Sequence, residues 1–163
     1  MVFLKINHNE LLKEKLDLCI EKACSDLYLN DYELIATEKN REDHIAERSI
    51  VFRFGIYLDK HLSKYKSLNK YHLDSEYNRN IDDLKRLPSR PRGCSPDLII
   101  HKRGSNDHNL LVIECKGWWS LDNKVNEDGI KVMDFIEDTQ FNYKFGLLII
   151  FEKEGADINW IDK

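Results

Sequence analysis

The sequence has no apolar run of about 18 residues, the length that a membrane-spanning helix needs, although 42% of its residues are hydrophobic. The first residues also lack the basic start and cleavage site of a secretory signal. The cysteines form no CxxC pair and have no zinc-ligand spacing; they are Cys19, Cys24, Cys94 and Cys115. These absences predict a soluble cytoplasmic protein with free thiols, no membrane partner and no zinc hydrolase site.

The sequence also lacks the excess of positive charge that favours phosphate binding, because its net charge is -4. The distribution of charge is uneven, however. Against one acid, the basic segment 85–103 carries six basic residues: Lys85, Arg86, Arg90, Arg92, Lys102 and Arg103. All of these except Lys85 are predicted to contact nucleic acid, and a solvated loop is the alternative.

Two short apolar stretches, 95–100 and 110–117, predict a β-hairpin whose turn lies in 102–109. Facing residues of an antiparallel pair have a constant sum of residue numbers. If the turn is centred on Ser105-Asn106, Asp97 and Glu114 face each other. Their Cβ atoms would then be about 5 Å apart.

Lys116 lies two residues after Glu114, so the period of two places both side chains on one face of the sheet. Two facing carboxylates repel each other, which raises the cost of ionising both. A hard divalent cation with oxygen ligands would relieve that repulsion. The alternative is a structural network of ion pairs, which is costly for buried charges.

Pro96-Asp97, followed after sixteen intervening residues by Glu114-Cys115-Lys116, resembles the PD-(D/E)xK nuclease superfamily, or restriction-endonuclease-like fold. The resemblance implies that Asp97 and Glu114 hold Mg²⁺, with Mn²⁺ as an alternative ion. The carbonyl of Cys115 would be a further ligand. Lys116 would position or help deprotonate the attacking water.

Apolar residues at helical spacing predict amphipathic helices at 9–27, 41–62 and 126–142. On the second helix Glu47 belongs to the apolar stripe rather than to the polar face, where a carboxylate needs a cation or several hydrogen bonds. An ion pair with Arg48 or Arg53, or a partly exposed helix edge, is the alternative. In the resembled superfamily a glutamate of the first core helix supplements the metal site, which implies a catalytic and metal-binding role for Glu47. On the third helix Lys131 is placed to meet a phosphate.

The remaining patterns complete a single domain, 1–163. The segment 71–79 alternates as a strand does, and 143–151 is apolar like a strand buried on both faces. The expected α/β fold is therefore an αβββαβ core over about 40–152, with a mixed sheet of about four strands flanked by helices. The helix at 9–27 is an extension that precedes this core.

Three further segments lie outside the strands expected for this core. The segment 80–95 is predicted to be a helical turn followed by a loop, and 31–37 is either a short strand or an extended link. The polar residues after Glu152 are predicted to contribute little to the site. Trp118 and Trp119 are adjacent to a core strand, where packing is favoured over stacking on bases.

The function predicted on these grounds is a metal-dependent nuclease that hydrolyses phosphodiester bonds, with DNA as the substrate that the resemblance implies. A non-cleaving module that binds nucleic acid or protein on the same fold is the alternative. A homodimer is one way to cut both strands at once.

Overall fold

The structure, a computed structural model, describes residues 7–36 and 46–163. Within these ranges the helices are α1 (His8–Asn30), α2 (Glu47–Leu62) and α3 (Asp122–Glu137). The strands are β1 (His72–Ser75), β2 (Arg79–Asn80), β3 (Asp83–Leu84), β4 (Leu98–His101), β5 (Leu111–Gly117), β6 (Phe145–Phe151) and β7 (Ala156–Ile161). A short 3-10 helix, Tyr32–Leu34, follows α1.

Five strands form one mixed sheet in the order β1-β4-β5-β6-β7. β5 and β6 are parallel, and the other neighbouring pairs are antiparallel. Parallel strands need a crossover connection, which α3 provides between β5 and β6. The predicted α/β class is confirmed, with helices flanking a mixed sheet and an additional N-terminal helix.

The register of the predicted hairpin is also confirmed. Leu98 pairs with Ile113 and Ile99 pairs with Val112. Extended by one residue, this register sets Asp97 opposite Glu114, as the sequence predicts. Asp97 itself lies just before β4 begins.

Each face of the sheet contributes to its own apolar layer. On one face, residues of β4 and β5 pack in the cluster that contains α1 and α2: Leu98, Ile100, Leu111, Ile113 and Cys115. On the other face, the cluster with α3 contains Ile99, Val112, Val132, Phe135 and Ile136. Because side chains alternate along a strand, Asp97, Glu114 and Lys116 belong to the α3 face.

A glycine of β6 allows α3 to approach the sheet closely. A Cβ atom at Gly146 would lie 2.5 Å from Cγ1 of Val132. Any larger residue would therefore push α3 away from the strand that it crosses, since a packed core has little room for extra atoms.

Several predicted boundaries need correction. The polar residues after Glu152 are not a passive tail, because β7 pairs with β6 and makes the sheet five strands wide rather than four. The segment predicted as a helical turn begins with a small hairpin of β2 and β3. The ambiguous segment after α1 is the 3-10 helix and not a strand.

Helix and strand ends also differ from the predictions. α1 begins at His8 because Asn7 caps it, and it ends at Asn30 rather than at 27. The Asn7 side chain accepts a hydrogen bond from the Asn9 backbone, and Glu10 accepts one from Asn7. α3 lies over Asp122–Glu137 rather than 126–142, and the strand predicted at 71–79 ends at Ser75. The part of the second predicted helix from 41 to 45 lies outside the described residues. Within the described ranges, no helix is apolar over a length that would span a membrane.

Candidate functional site

The predicted site residues meet where β4 begins and β5 ends. Asp97 precedes β4, while Glu114 and Lys116 lie in the last four residues of β5. Glu47 is the first residue of α2. Its carboxylate reaches β5: Oε1 lies 2.9 Å from Nζ of Lys116, and Oε2 accepts a hydrogen bond from the Gly117 amide at 3.1 Å. The fold thus brings together the four residues that the sequence predicts to be catalytic.

The Asp97 carboxylate is held by the backbone of the opposite strand. Its Oδ2 accepts a hydrogen bond of 2.8 Å from the amide of Cys115. Burial raises the pKa of Asp97 above its ordinary value, and the hydrogen bond from Cys115 opposes this rise only in part. Asp97 is therefore a carboxyl group whose negative charge is costly where it stands.

Glu114 is the most enclosed acid of the site, with only 2% of its surface exposed. Its Oε1 lies 2.7 Å from Nζ of Lys131, which also donates a hydrogen bond of 2.8 Å to the carbonyl of Ser95. Burial, followed by repulsion from the charge of Asp97, raises the pKa of Glu114 to about 8 in spite of this ion pair. The repulsion expected between the two carboxylates is therefore present.

Lys116 is held between carboxylates of both helices that border the site. Besides Glu47 of α2, its Nζ contacts Oδ2 of Asp128 of α3 at 2.8 Å. Burial alone would lower the pKa of Lys116, but the hydrogen bonds to Asp128 and Glu47 outweigh burial and raise it. The ammonium group is consequently charged at neutral pH.

Behind the site, the end of β5 is tightly packed. A Cβ atom at Gly117 would lie 2.4 Å from ring carbons of Trp119, so only glycine fits there. Trp119 is 9% exposed, and the indole nitrogen of Trp118 donates to the carbonyl of Ile35 at 2.9 Å. Both tryptophans therefore pack against the fold, which agrees with the packing interpretation rather than with base stacking.

An open cleft of about 500 Å³ gives access to two of the acids. Glu47, Asp97 and Ser95 line one part of it. The remaining lining residues are Arg48, Val51, Phe52, Ser75 and Glu76. A cleft of this volume falls in the range of ordinary ligand sites, so a substrate group can approach Asp97 from solvent.

The donor chemistry of the site fits a hard divalent ion. Asp97, Glu114 and Glu47 supply carboxylate oxygens, the ligands that Mg²⁺ prefers, and burial raises the pKa of both Asp97 and Glu114, so a nearby cation would stabilise their ionised forms. Across residues 7–36 and 46–163, however, no three His, Cys, Asp or Glu residues are grouped as a metal site. In this structure the carboxylates of Glu47 and Glu114 are paired with lysines instead.

The basic segment is dispersed rather than gathered at the cleft. Arg86 pairs with Asp83, Arg90 with Asp134, and Arg103 with Asp74. Lys102 and Arg103 follow the far end of β4, and at about 3.3 Å per residue that strand separates them from Asp97. Arg92 is exposed. The prediction that these residues bind nucleic acid remains a prediction.

Two residues of α3 complete the site, and the sequence analysis missed one of them. Lys131 was predicted to meet a phosphate but contacts Glu114 instead, and Asp128 was not singled out. A signal for Asp128 does exist. It lies four residues before Val132 and seven before Phe135, both buried, so it continues the apolar stripe of α3.

Comparisons with protein-family models, with curated proteins and with solved structures find no match for this chain. The function must therefore be inferred from the site itself.

Proposed function

We propose that this protein is a metal-dependent nuclease that hydrolyses phosphodiester bonds in DNA. The observation that carries the proposal is the register of β4 and β5, which sets Asp97 opposite Glu114 and places Lys116 on the same face of the sheet. An open cleft reaches Asp97. Two acids and an ammonium group beside an accessible cleft are the parts that phosphodiester hydrolysis requires.

Asp97 and Glu114 would hold Mg²⁺ or Mn²⁺, with the carbonyl oxygen of Cys115 as a further ligand and Glu47 completing the shell. When bound, the ion supplies positive charge that offsets the negative charge growing on the phosphoryl oxygens. The chain itself holds the proposed ligands in fixed positions. Glu114 and Cys115 pair with Leu148 and Ile149 of β6, and the Cys115 amide fixes the Asp97 carboxylate.

The raised pKa of Lys116 narrows its role. A group that stays protonated at neutral pH is a poor general base. Lys116 would therefore stabilise the charged transition state and orient the attacking water by donating a hydrogen bond. Lys116 would then not abstract the proton of the attacking water, which is the other role that the resemblance implies.

A specific observation favours a second candidate function, a non-cleaving nucleic-acid-binding or interaction module. The two lysines of the site make three ion pairs inside the chain: Lys116 with Glu47 and Asp128, and Lys131 with Glu114. Such a network can stabilise a fold without performing chemistry. A protein of this kind would bind DNA without cutting it.

The partners and the compartment follow from the same proposal. Cys19, Cys24, Cys94 and Cys115 are all free thiols, which supports a reducing cytoplasm. A homodimer would present two clefts to the two strands of DNA, and sedimentation with and without DNA would detect it.

The direct test is incubation of the protein with plasmid and single-stranded DNA in Mg²⁺ or Mn²⁺, with EDTA as a control. Asp97→Asn should abolish cleavage, because it removes a ligand charge with almost no change in volume. The matched control is Asp157→Asn, since Asp157 is an exposed acid on β7, away from the cleft. Cleavage that survives Asp97→Asn would reject the site. Binding without cleavage in either metal would favour the second candidate.

A further inference from the structure

Lys131 occupies a position at the site that the proposed chemistry does not use. Its Nζ lies 2.7 Å from Oε1 of Glu114 and 2.8 Å from the carbonyl oxygen of Ser95. The side chains of Lys131 and Glu114 are only 14% and 2% exposed. This ion pair is therefore almost completely removed from water.

The two oxygen atoms that Lys131 contacts are a carboxylate and a backbone carbonyl, the oxygen types that hard cations take as ligands. An ammonium group is a compact point charge with three donors, so it can occupy such a set of oxygens. Lys131 also lies close enough to Asp97 for its charge to act on that carboxyl group. Lys131 thus contacts Glu114, and its charge lowers the pKa of Asp97, the other acid that would hold the metal ion.

The other lysine of the site is placed differently. Lys116 contacts Glu47 and Asp128 and shares no contact with Glu114. The helix α3 supplies both partners, Asp128 for Lys116 and Lys131 for Glu114. One lysine is therefore held beside the two acids, and the other is bound directly to one of them.

We infer that Lys131 is an internal cation that competes with the metal ion for Glu114, so that the ion binds only when the ammonium group leaves this carboxylate. The inference rests on the proposed function, whose metal ligands include Glu114. Its physical basis is repulsion: two positive charges on one enclosed carboxylate repel strongly, because little water is present to screen them. The consequence is a weak affinity for the metal ion in the absence of DNA.

The test is calorimetric titration of Mn²⁺ into the full chain without DNA. Lys131→Met removes the ammonium group and keeps an apolar stem, and Mn²⁺ should then bind about tenfold more tightly, at the lower end of the changes produced by substitutions next to metal ligands. Lys124→Met is the matched control, since it removes a lysine charge from the same helix and its partner, Glu127, is not a proposed metal ligand. Its gain in affinity should be clearly smaller.

Lys131→Gln is a second variant for the case that Lys131→Met does not fold, because glutamine can still donate a hydrogen bond to Glu114. It should tighten Mn²⁺ binding in the same direction as Lys131→Met. Asp97→Asn should remove the binding, which locates the ion at the site.

Three results would overturn the inference. If the parent protein binds Mn²⁺ and both Lys131 variants bind it no more tightly, the competition does not exist, while the proposed nuclease is unaffected. If Lys124→Met gains as much as Lys131→Met, the effect is one of general charge. If neither the parent protein nor the Lys131 variants bind Mn²⁺, the inference and the metal-dependent function fail together.

Discussion

The side chains of Lys116 and Lys85 are both largely buried, yet their surroundings shift their pKa values in opposite directions. The Lys116 side chain is 16% exposed and lies between the carboxylates of Glu47 and Asp128. Those carboxylates raise its pKa above the ordinary value against the effect of burial. Lys116 is thus a permanent positive charge beside an open cleft.

Lys85 is 1% exposed and has no carboxylate within ion-pair distance among the described residues. Its Nζ donates to the carbonyl of Arg79 at 3.2 Å and lies over three aromatic rings, those of Tyr77, Phe141 and Tyr143. Burial lowers the pKa of Lys85 to about 8. The comparison teaches that the partners of a buried lysine, and not its burial, decide whether it can serve as a charge in catalysis.

The largest expected difference between the two lysines is in cleavage. Lys116→Met should lower the rate of DNA cleavage about 1000-fold, the loss expected when a group that stabilises a charged transition state is removed. Lys85→Met should leave the rate unchanged, because Lys85 contacts the Arg79 carbonyl and three aromatic rings rather than an acid of the site. Initial rates on plasmid DNA in Mg²⁺ would measure both. Equal rates for Lys116→Met and the parent protein would show that Lys116 has no role in the reaction.

The next largest effect concerns stability, and here Lys85 should dominate. The pKa of Lys85 is about 8 in the folded chain against an ordinary value of 10.5. Between these two pH values the unfolded chain binds more protons than the folded chain, so folding stability should rise with pH, by about 3 kcal/mol in total. Below pH 8 the full cost of burying the charge remains. Lys85→Met should therefore stabilise the protein at pH 7.

Urea unfolding of Lys85→Met and of the parent protein at several pH values from 7 to about 10.5 would test this. The difference in unfolding free energy between the two proteins cancels the titration of the cysteines and tyrosines that they share. Lys66→Met is the control for loss of an exposed lysine charge. A difference in stability between Lys85→Met and the parent protein that is independent of pH would contradict the lowered pKa of Lys85.

A smaller effect is expected from weakening the carboxylate pair around Lys116. Asp128→Asn removes one of its two anionic partners. The pKa of Lys116 should fall, and its ammonium group should lose one of the two carboxylate contacts that fix its position. At neutral pH the rate should drop about tenfold, as for other residues that orient a catalytic group.

Asp134→Asn on the same helix is the matched control, since Asp134 pairs with Arg90 rather than with Lys116. Asp128 is a positioning residue, so Asp128→Glu, which restores the carboxylate, should recover part of the lost rate. A rate for Asp128→Glu no higher than that for Asp128→Asn would reject the positioning role.

The smallest effect on stability should come from the loss of an exposed ion pair, which is the reference for the effects of the buried lysines. Arg86 pairs with Asp83 at 2.8 Å, and its side chain is 44% exposed. Arg86→Ala should change the free energy of unfolding by less than about 0.5 kcal/mol. If Arg86 contacts phosphate, the slope of log affinity for DNA against log salt should fall by about 1. An unchanged slope would remove Arg86 from the predicted DNA-binding residues.

The sequence was sufficient for the parts of the site that depend on local pattern. The alternation of the strands and the position of the turn predicted that Asp97 faces Glu114, because a register depends on a few neighbouring residues. Glu47 was found because an acid within an apolar stripe conflicts with the helical period. The α/β class followed from the order of periodic segments.

Other features depended on contacts between distant segments and could not be predicted. Asp128 is an ordinary acid on a helix until α3 crosses β5 and meets Lys116. Lys85 belongs to a basic segment that pattern alone assigns to solvent, yet aromatic rings from residues 77, 141 and 143 enclose it. β7 was missed because its residues are only partly buried, which gives an edge strand a weak hydrophobic signal.

The hydrogen bond between the Cys115 amide and the Asp97 carboxylate makes that amide a reporter on the site. The β4–β5 pairing is described only as far as Leu98 and Ile113, so a side chain rather than a backbone carbonyl protects the Cys115 amide from solvent. A ligand that draws the carboxylate away would leave this single amide open to hydrogen exchange. The amides of the central strand around it, by contrast, exchange only in large-scale opening. Deuterium uptake at Cys115 would thus track occupancy of the cleft in solution, without any need for turnover.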